Sequence, residues 1–270
     1  MPVLERDGEP IWRRRTGTAA LGRWLAWLTV VLTLVVAWRY VSQQTIWEFV
    51  WDGPRQAADL VTRMLPPEWS YMDHLWRPLW DTVNIATLGT LLALLLATPV
   101  AFLAARNTTP TWLMRPPALL VIVGSRSINS IIWALLLVAI FGPGLFAGIL
   151  AIAFRSIGFI AKLLYEAIEE IDTDPVEAIT ATGAARSQVM LWGIVPQIMS
   201  AFAGIAVFRW DINIREATVL GLVGAGGIGL QLDASVASLQ WARVALILLS
   251  IIALVLLSEI VSARLRAASN

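Results

Sequence analysis

Polar and apolar residues segregate along this chain into long blocks, with none of the short alternation of a soluble domain. Six blocks are apolar enough, at or near the roughly 20 residues a bilayer-crossing helix requires, to predict spans at 24–40, 79–105, 118–141, 145–165, 194–214 and 242–261. The fifth is the weakest, because Arg209 and Asp211 interrupt its far end. The expected fold is an all-α integral membrane protein of six transmembrane helices.

Cationic flanks orient the spans, since Lys and Arg accumulate in cytoplasmic loops. Arg13, Arg14, Arg15 and Arg23 precede the first span, which makes 1–23 a cytoplasmic segment. Six crossings return the chain to that side, where Arg264 and Arg266 lie in a cytoplasmic tail, 262–270. The 106–115 loop falls inside, and the uncharged 142–144 connection outside. The first span is long, lacks a small-residue cleavage site and ends in Trp38, Arg39 and Tyr40, so it reads as an uncleaved anchor. Trp24, Trp38, Trp80, Trp112, Trp192 and Trp241 fall near span ends as interfacial anchors. Between the first two spans, 41–78 is an extracytoplasmic segment containing Glu48, Asp52, Asp59, Glu68 and Asp73. Within it the spacing of Ala57, Ala58, Val61 and Leu65 predicts a surface helix over 54–65. His74 reads there as a surface residue.

One polar block is too long and too patterned to be a connector. It is 165–197, YEAIEEIDTDPVEAITATGAARSQVMLWGIVPQ, between the fourth and fifth spans. Asp172, Thr173 and Asp174 offer capping oxygens and negative charge, with Pro175 at a favoured first-turn position. A helix through Glu177, Ala178 and Ala181 then stops at Gly183. A second short helix runs from Ala184 towards Trp192, and Pro196 marks the return to the membrane. This is a helix–turn–helix held out for a partner.

Composition narrows the chemistry. Hydrophobic residues make up 58% and charged residues 14%, against about 25% charged in a soluble chain. Mean hydropathy is +0.71. A formal net charge of +1 argues against a nucleic-acid partner. There is no cysteine, and His74 is the sole histidine, so thiolate or histidine metal sites and a Ser-His-Asp triad have little to draw on.

The charges left at membrane depth are costly and therefore informative. Counted from Pro117, Arg126 lies roughly 13 Å along the third span, close to the midplane, with Asn129 and Ser130 on its helical face. Arg155 and Ser156 sit in the middle of the fourth span; Arg209, Asn213 and Arg215 sit in the outer half of the fifth. Only Asp211 and Glu216 offer opposite charge nearby. Two readings stand for the fifth-span residues: a polar path whose guanidinium groups suit an oxyanion, or internal pairing of Arg209 or Arg215 with Asp211 or Glu216. Arg155 pairing with backbone carbonyls belongs to the second. For Arg126 with Asn129 the path is favoured, because no acid lies within local reach.

The segment 221–229, GLVGAGGIG, formally contains GxGxxG, yet it lies between two membrane spans rather than in a βαβ unit. Glycine at this density gives an irregular backbone that bends, packs closely or moves at a gate. Gly224, Gly226 and Gly227 are therefore gate candidates. No GxxxxGK[ST] phosphate loop exists, so the chain is not its own ATPase.

Glu177-Ala178-Ile179, Gly183 and Val195-Pro196 resemble the EAA loop of ABC-importer permeases: Glu-Ala-Ala, three residues, Gly, nine residues, Ile, any, Leu, Pro. Ile179, Gly193 and Val195 depart from that pattern, and Ile194 stands beside the Gly193 departure. The runs SRSINSIIWALLLVAIFGPGLFAGILAI, EAITATGAARSQVMLWGIVPQ and FRWDINIREATVLGLVGAGGIG together resemble the phosphonate-import permeases, from residue 79 to the C-terminus. The resemblance implies a type I, MetI-like permease fold with a five-helix core over 79–261, in a bacterial inner or plasma membrane. It implies a homodimer, two ABC ATPase subunits that bind the ATP and Mg this chain does not, and an extracytoplasmic solute-binding protein. Glu177, Ala178, Gly183 and Pro196 belong to the ATPase-coupling surface it implies, and the cargo is phosphonate or a related oxyanion, with phosphate and phosphite as rivals. Arg126, Asn129, Arg209, Asn213 and Arg215 are the candidates for touching it.

Two other classes are weighed against this. A stand-alone carrier or channel has no need of so patterned a loop, and no inverted repeat is visible. An intramembrane enzyme lacks a His, Cys or paired-carboxylate constellation at membrane depth.

Overall fold

The computed structural model describes residues 3–6, 9–12 and 17–269. Arg13, Arg14 and Arg15, on which the orientation partly rests, lie outside the described residues. The chain divides into two units, 1–60 and 61–270. The first holds an antiparallel hairpin that the apolar pattern does not predict, β1 (Val3–Arg6) with β2 (Glu9–Trp12). It continues through α1 (Gly17–Gln44), whose 20–44 stretch is long and apolar enough to cross a membrane. The amphipathic surface helix, α2 (Trp47–Met64), begins seven residues before its predicted start and passes through Pro54. Glu48 in its first turn favours that earlier beginning.

The second unit is a helical bundle built around α3 (Met72–Ala104) and α6 (Leu145–Glu169). Between membrane helices the lipid is as apolar as the side chains, so close packing rather than water exclusion holds them together. The buried face of α3 suits this, with Gly89, Ala93, Ala97 and Ala101 recurring every fourth residue. A methyl at Gly89 would sit 2.7 Å from Ile152 of α6, so the two backbones approach as far as glycine permits. α3 starts before the predicted second span and takes in Pro78. His74 is exposed and stacks on Tyr71 at 5.1 Å.

The predicted third span is corrected. It is two helices, α4 (Arg115–Ser127) and α5 (Ser130–Phe141), bent by 91°. Ile128 and Asn129 are extended, and the Asn129 side chain caps α5 by accepting the Ile131 N–H at 3.2 Å. Asn129 and Ser130 therefore share no helical face with Arg126. Contacts still register the pair along α6 from Glu169 back to Phe154. Arg115 lies 3.6 Å from Glu169, Arg126 lies over Phe159, and Trp133 meets Phe154 edge-on. Among the described residues five helices are long and apolar enough to cross a membrane, and the bent pair, taken as one broken span, would be the sixth.

The polar block forms α7 (Asp174–Ala181) and α8 (Arg186–Val189), and a wide turn of π-helix, Met190–Ile194, leads into α9 (Val195–Leu220). Between α9 and the last span, α11 (Trp241–Ser269), lies a helix that the pattern does not predict, α10 (Ile228–Ala237). Its start is pinned by Thr82 of α3, whose Oγ1 accepts the Ile228 N–H at 2.8 Å in a buried site. Thr82→Val keeps the shape and orphans that donor, a loss of about 1–3 kcal/mol. The expected result is a chain that inserts normally but unfolds several degrees lower in a thermal melt in detergent.

Candidate functional site

Two places carry the chemistry, one in the polar 165–197 loop and one inside the bundle. In the loop, α7 starts with the Asp174 N–H donating to Asp172 Oδ1 at 3.0 Å, so Asp172 supplies the capping oxygen and Thr173 and Asp174 do not. Gly183, at φ +77°, turns the chain into α8, where Ala185 N–H donates to Gln188 Oε1 at 2.8 Å. Glu177, Ala178, Gly183 and Pro196 are all exposed, and Pro196 stands in the first turn of α9. Val176 and Ile179 face inward, and a methyl at Gly193 would stand 3.4–3.5 Å from both. These are ordinary contact distances, so the site under α7 has room for an alanine, and in the wider π turn Ile194 is the residue buried in the hydrophobic core.

The loop is tied at both ends. Gln197 Nε2 donates to Asp172 O and Asp172 N–H donates to Gln197 Oε1, each at 3.1 Å. Arg186 donates to the carbonyls of Thr108 and Thr109 at 2.8 and 2.9 Å. Its partners lie more than 70 residues away, so the sequence gives no sign of this clamp.

Inside the bundle, three guanidinium groups meet one ring. Arg126 of α4 and Arg209 of α9 each lie 4.8 Å from the Phe159 centroid, and Arg155 lies 5.4 Å from it. Glu216 supplies the cluster's carboxylate. One oxygen, Oε1, accepts Arg155 Nε and Arg209 Nη2 at 3.2 Å each, while Oε2 is buried and accepts no hydrogen bond among the described residues. Arg126 is exposed and, among the described residues, pairs with no acid. Ser125 next to it staples α4 to α6, accepting the Gly158 N–H at 2.9 Å and donating to Phe154 O. Gly158 permits that approach, since a methyl there would meet Ile122 O at 2.5 Å.

The remaining candidates fall elsewhere. Asn213 is fully buried and bridges helices, donating to Thr90 Oγ1 at 2.8 Å and accepting from Ser156 at 3.1 Å. Ser156 in turn accepts Arg209 Nε at 3.0 Å, so Asn213 orients the cluster from behind. Arg215 pairs with Asp211, which also accepts from Ser258 of α11 at 2.9 Å. Internal pairing therefore holds for Arg209 with Glu216 and for Arg215 with Asp211. Arg155 takes Glu216 rather than carbonyls alone; its one carbonyl contact, Ile128 O, is at 3.5 Å. Asn129 is exposed at the bend.

Gly224, Gly226 and Gly227 all have positive φ, +83°, +85° and +78°, in a close-packed turn against the start of α6. Gly144 N–H donates to Gly224 O at 2.9 Å, and a methyl on Gly227 would meet Thr82 Oγ1 at 2.7 Å. Ten residues of α6, roughly 15 Å, separate Leu145 beside this turn from Arg155. Phe159, missed by sequence reasoning, stands four residues after Arg155 and so on its face, a signal that was available. A groove of about 430 Å³ between α3, α9 and α11 is lined by Trp76, Trp80, Trp210 and Leu257, the wrong chemistry for an anion. Among the described residues no cluster of His, Cys, Asp and Glu is arranged to hold a metal.

Residues 97–268 match the family described as binding-protein-dependent transport system inner membrane component. The chain is 40% identical over 215 residues to the phosphite transport system permease protein PtxC of Stutzerimonas stutzeri, covering 80% of this chain and 78% of that one. It is 38% identical over 213 residues to the phosphate-import permease protein PhnE of Mycolicibacterium smegmatis, covering 78% of this chain and 39% of that one. The fold is that of the permease in the inward-facing MetNI methionine ABC transporter, with a TM-score of 0.66 at 22% identity over 75% of this chain and 99% of the other. The chain thus belongs to the binding-protein-dependent inner membrane components, as a multi-pass, non-catalytic permease subunit of an ABC importer.

Proposed function

We propose that this permease passes a phosphorus oxyanion, phosphonate or its close relatives phosphite and phosphate, through a path that runs by the Arg126 cluster. The observation that carries the reading is the convergence of three guanidinium groups on Phe159 against one carboxylate. That imbalance at membrane depth is costly for a purely structural cluster and well suited to a planar, multidentate hold on oxyanion oxygens. The phosphite and phosphate named for the two relatives belong to the same chemical class.

The assembly that goes with this reading is a pair of these chains, two ABC ATPase subunits at the 165–197 loop and a solute-binding protein on the far side. ATP and Mg belong to the ATPase subunits. Both termini face the cytoplasm, and 41–78 faces outward. Exposed Glu177, Ala178 and the Gly183 turn supply the ATPase contact; a short rigid helix seated in a partner transmits rigid-body motion.

Arg126→Ala tests the path. In proteoliposomes containing the whole importer, phosphite and phosphonate uptake is expected to fall about ten-fold, equivalent to ~1.4 kcal/mol, with normal expression. Arg126→Lys recovers part of it by restoring the charge without the fork. Unchanged uptake in Arg126→Ala removes Arg126 from the path, and uptake that persists without the ATPase subunits points instead to a stand-alone carrier.

A further inference from the structure

We propose that Glu216 is a resident counter-ion: it holds the guanidinium cluster when no substrate is present and gives up Arg155 when the anion arrives. This rests on the reading of the cluster as the anion path. The geometry is that of a weak, exchangeable hold. A carboxylate facing two arginines can take each in a two-pronged grip. Glu216 uses a single oxygen for both, at 3.2 Å each, and leaves Oε2 without a hydrogen bond.

The two arginines differ in their freedom. The Arg209 side chain is 5% exposed and is fixed by Ser156, so it needs a permanent counter-charge. The Arg155 side chain is 21% exposed, and besides the Phe159 ring its other partner among the described residues is the distant Ile128 O. Arg155 is therefore the partner that can turn from Glu216 to a substrate oxygen, alongside Arg126, which faces no acid among the described residues. Three cations against one anion leave two positive charges, which a phosphorus oxyanion carrying between one and two negative charges near neutral pH largely neutralises. The carboxylate that remains repels this anion and hastens its departure. A transport path needs that balance, because binding too firm to release stops the flow.

The test uses the nucleotide-free permease–ATPase complex in nanodiscs, without binding protein, titrated with inorganic phosphate and with phosphite at fixed ionic strength. Glu216→Gln is expected to bind both about ten-fold more tightly than wild type, and the complete importer carrying it to turn over several-fold more slowly at saturating substrate. Glu216→Asp keeps the charge but is one methylene too short to span both arginines. It is expected to bind about three-fold more tightly, and it decides the matter if the glutamine variant fails to accumulate. Affinity unchanged or weakened in a folded variant overturns the proposal, as does the lack of saturable binding in every form. If Arg126→Ala lowers uptake while Glu216→Gln leaves affinity unchanged, the counter-ion role alone falls. If Arg126→Ala leaves uptake intact, the path reading falls with it.

Discussion

Gly183→Val is expected to release the ATPase subunits from the purified permease and to cut uptake at least ten-fold, with the membrane chain still folded. The argument is conformational. Gly183 has φ +77°, and nothing lies within 4 Å of where its Cβ would be, so the substitution acts through the backbone alone. The left-handed region costs an ordinary residue roughly 1–2 kcal/mol, and a β-branched one more. The turn between α7 and α8, closed by the Gly183 N–H to Thr180 O at 3.0 Å, would reopen and carry Glu177 and Ala178 out of place. Gly183→Asn, which tolerates the left-handed region, should retain most of the complex. Co-purification of the ATPase with each variant reads this out; a complex that survives the valine intact means that the subunits attach elsewhere.

Gly221→Ala should have an effect as large by a different route, preventing the permease from accumulating in the membrane. A methyl on Gly221 would lie 2.5 Å from the Gly229 Cα and the Leu230 N, atoms of backbone that cannot swing aside. Overpacking of this kind costs about 1–3 kcal/mol or more, a large part of the stability of an ordinary domain. Gly204→Ala in α9 is the control. Nothing lies within 4 Å of its Cβ position, and alanine is the better helix former by up to about 1 kcal/mol. Membrane levels of the two variants, followed by fluorescence-detected size exclusion, separate tight packing from mere loss of glycine. Equal levels would show that the glycine turn has room to spare.

These two glycines mark the limit of what the chain discloses unaided. Gly183 was legible, because a local rule joins a capped helix start, a helix and a left-handed stop within a dozen residues. The tightness at Gly221 was not. Glycine density at 221–229 fits bending, packing or movement equally well, and only the approach of Gly229 and Thr82 shows how closely the segment packs. The bend at Asn129 was hidden for a related reason. The 118–141 block is apolar on both sides of it, and Asn129 looks like one polar residue on a helix face until Ile131 is seen to donate to it. α10 was lost in a stretch of mixed character too short to stand out. The pairing of Arg215 with Asp211, four residues apart, was open to reading, whereas that of Glu216 with Arg155 was not, since 61 residues separate them.

The Arg186 clamp makes the polar loop a fork rather than a rod. α8 continues through the π turn into α9, which carries Arg209, and the same helix grips the carbonyls of Thr108 and Thr109, just ahead of α4 and Arg126. A tug on the loop is thus divided between two tines, each ending in a guanidinium on the same ring. How far those two ends can part during a stroke is set by how long one arginine keeps hold of two backbone oxygens.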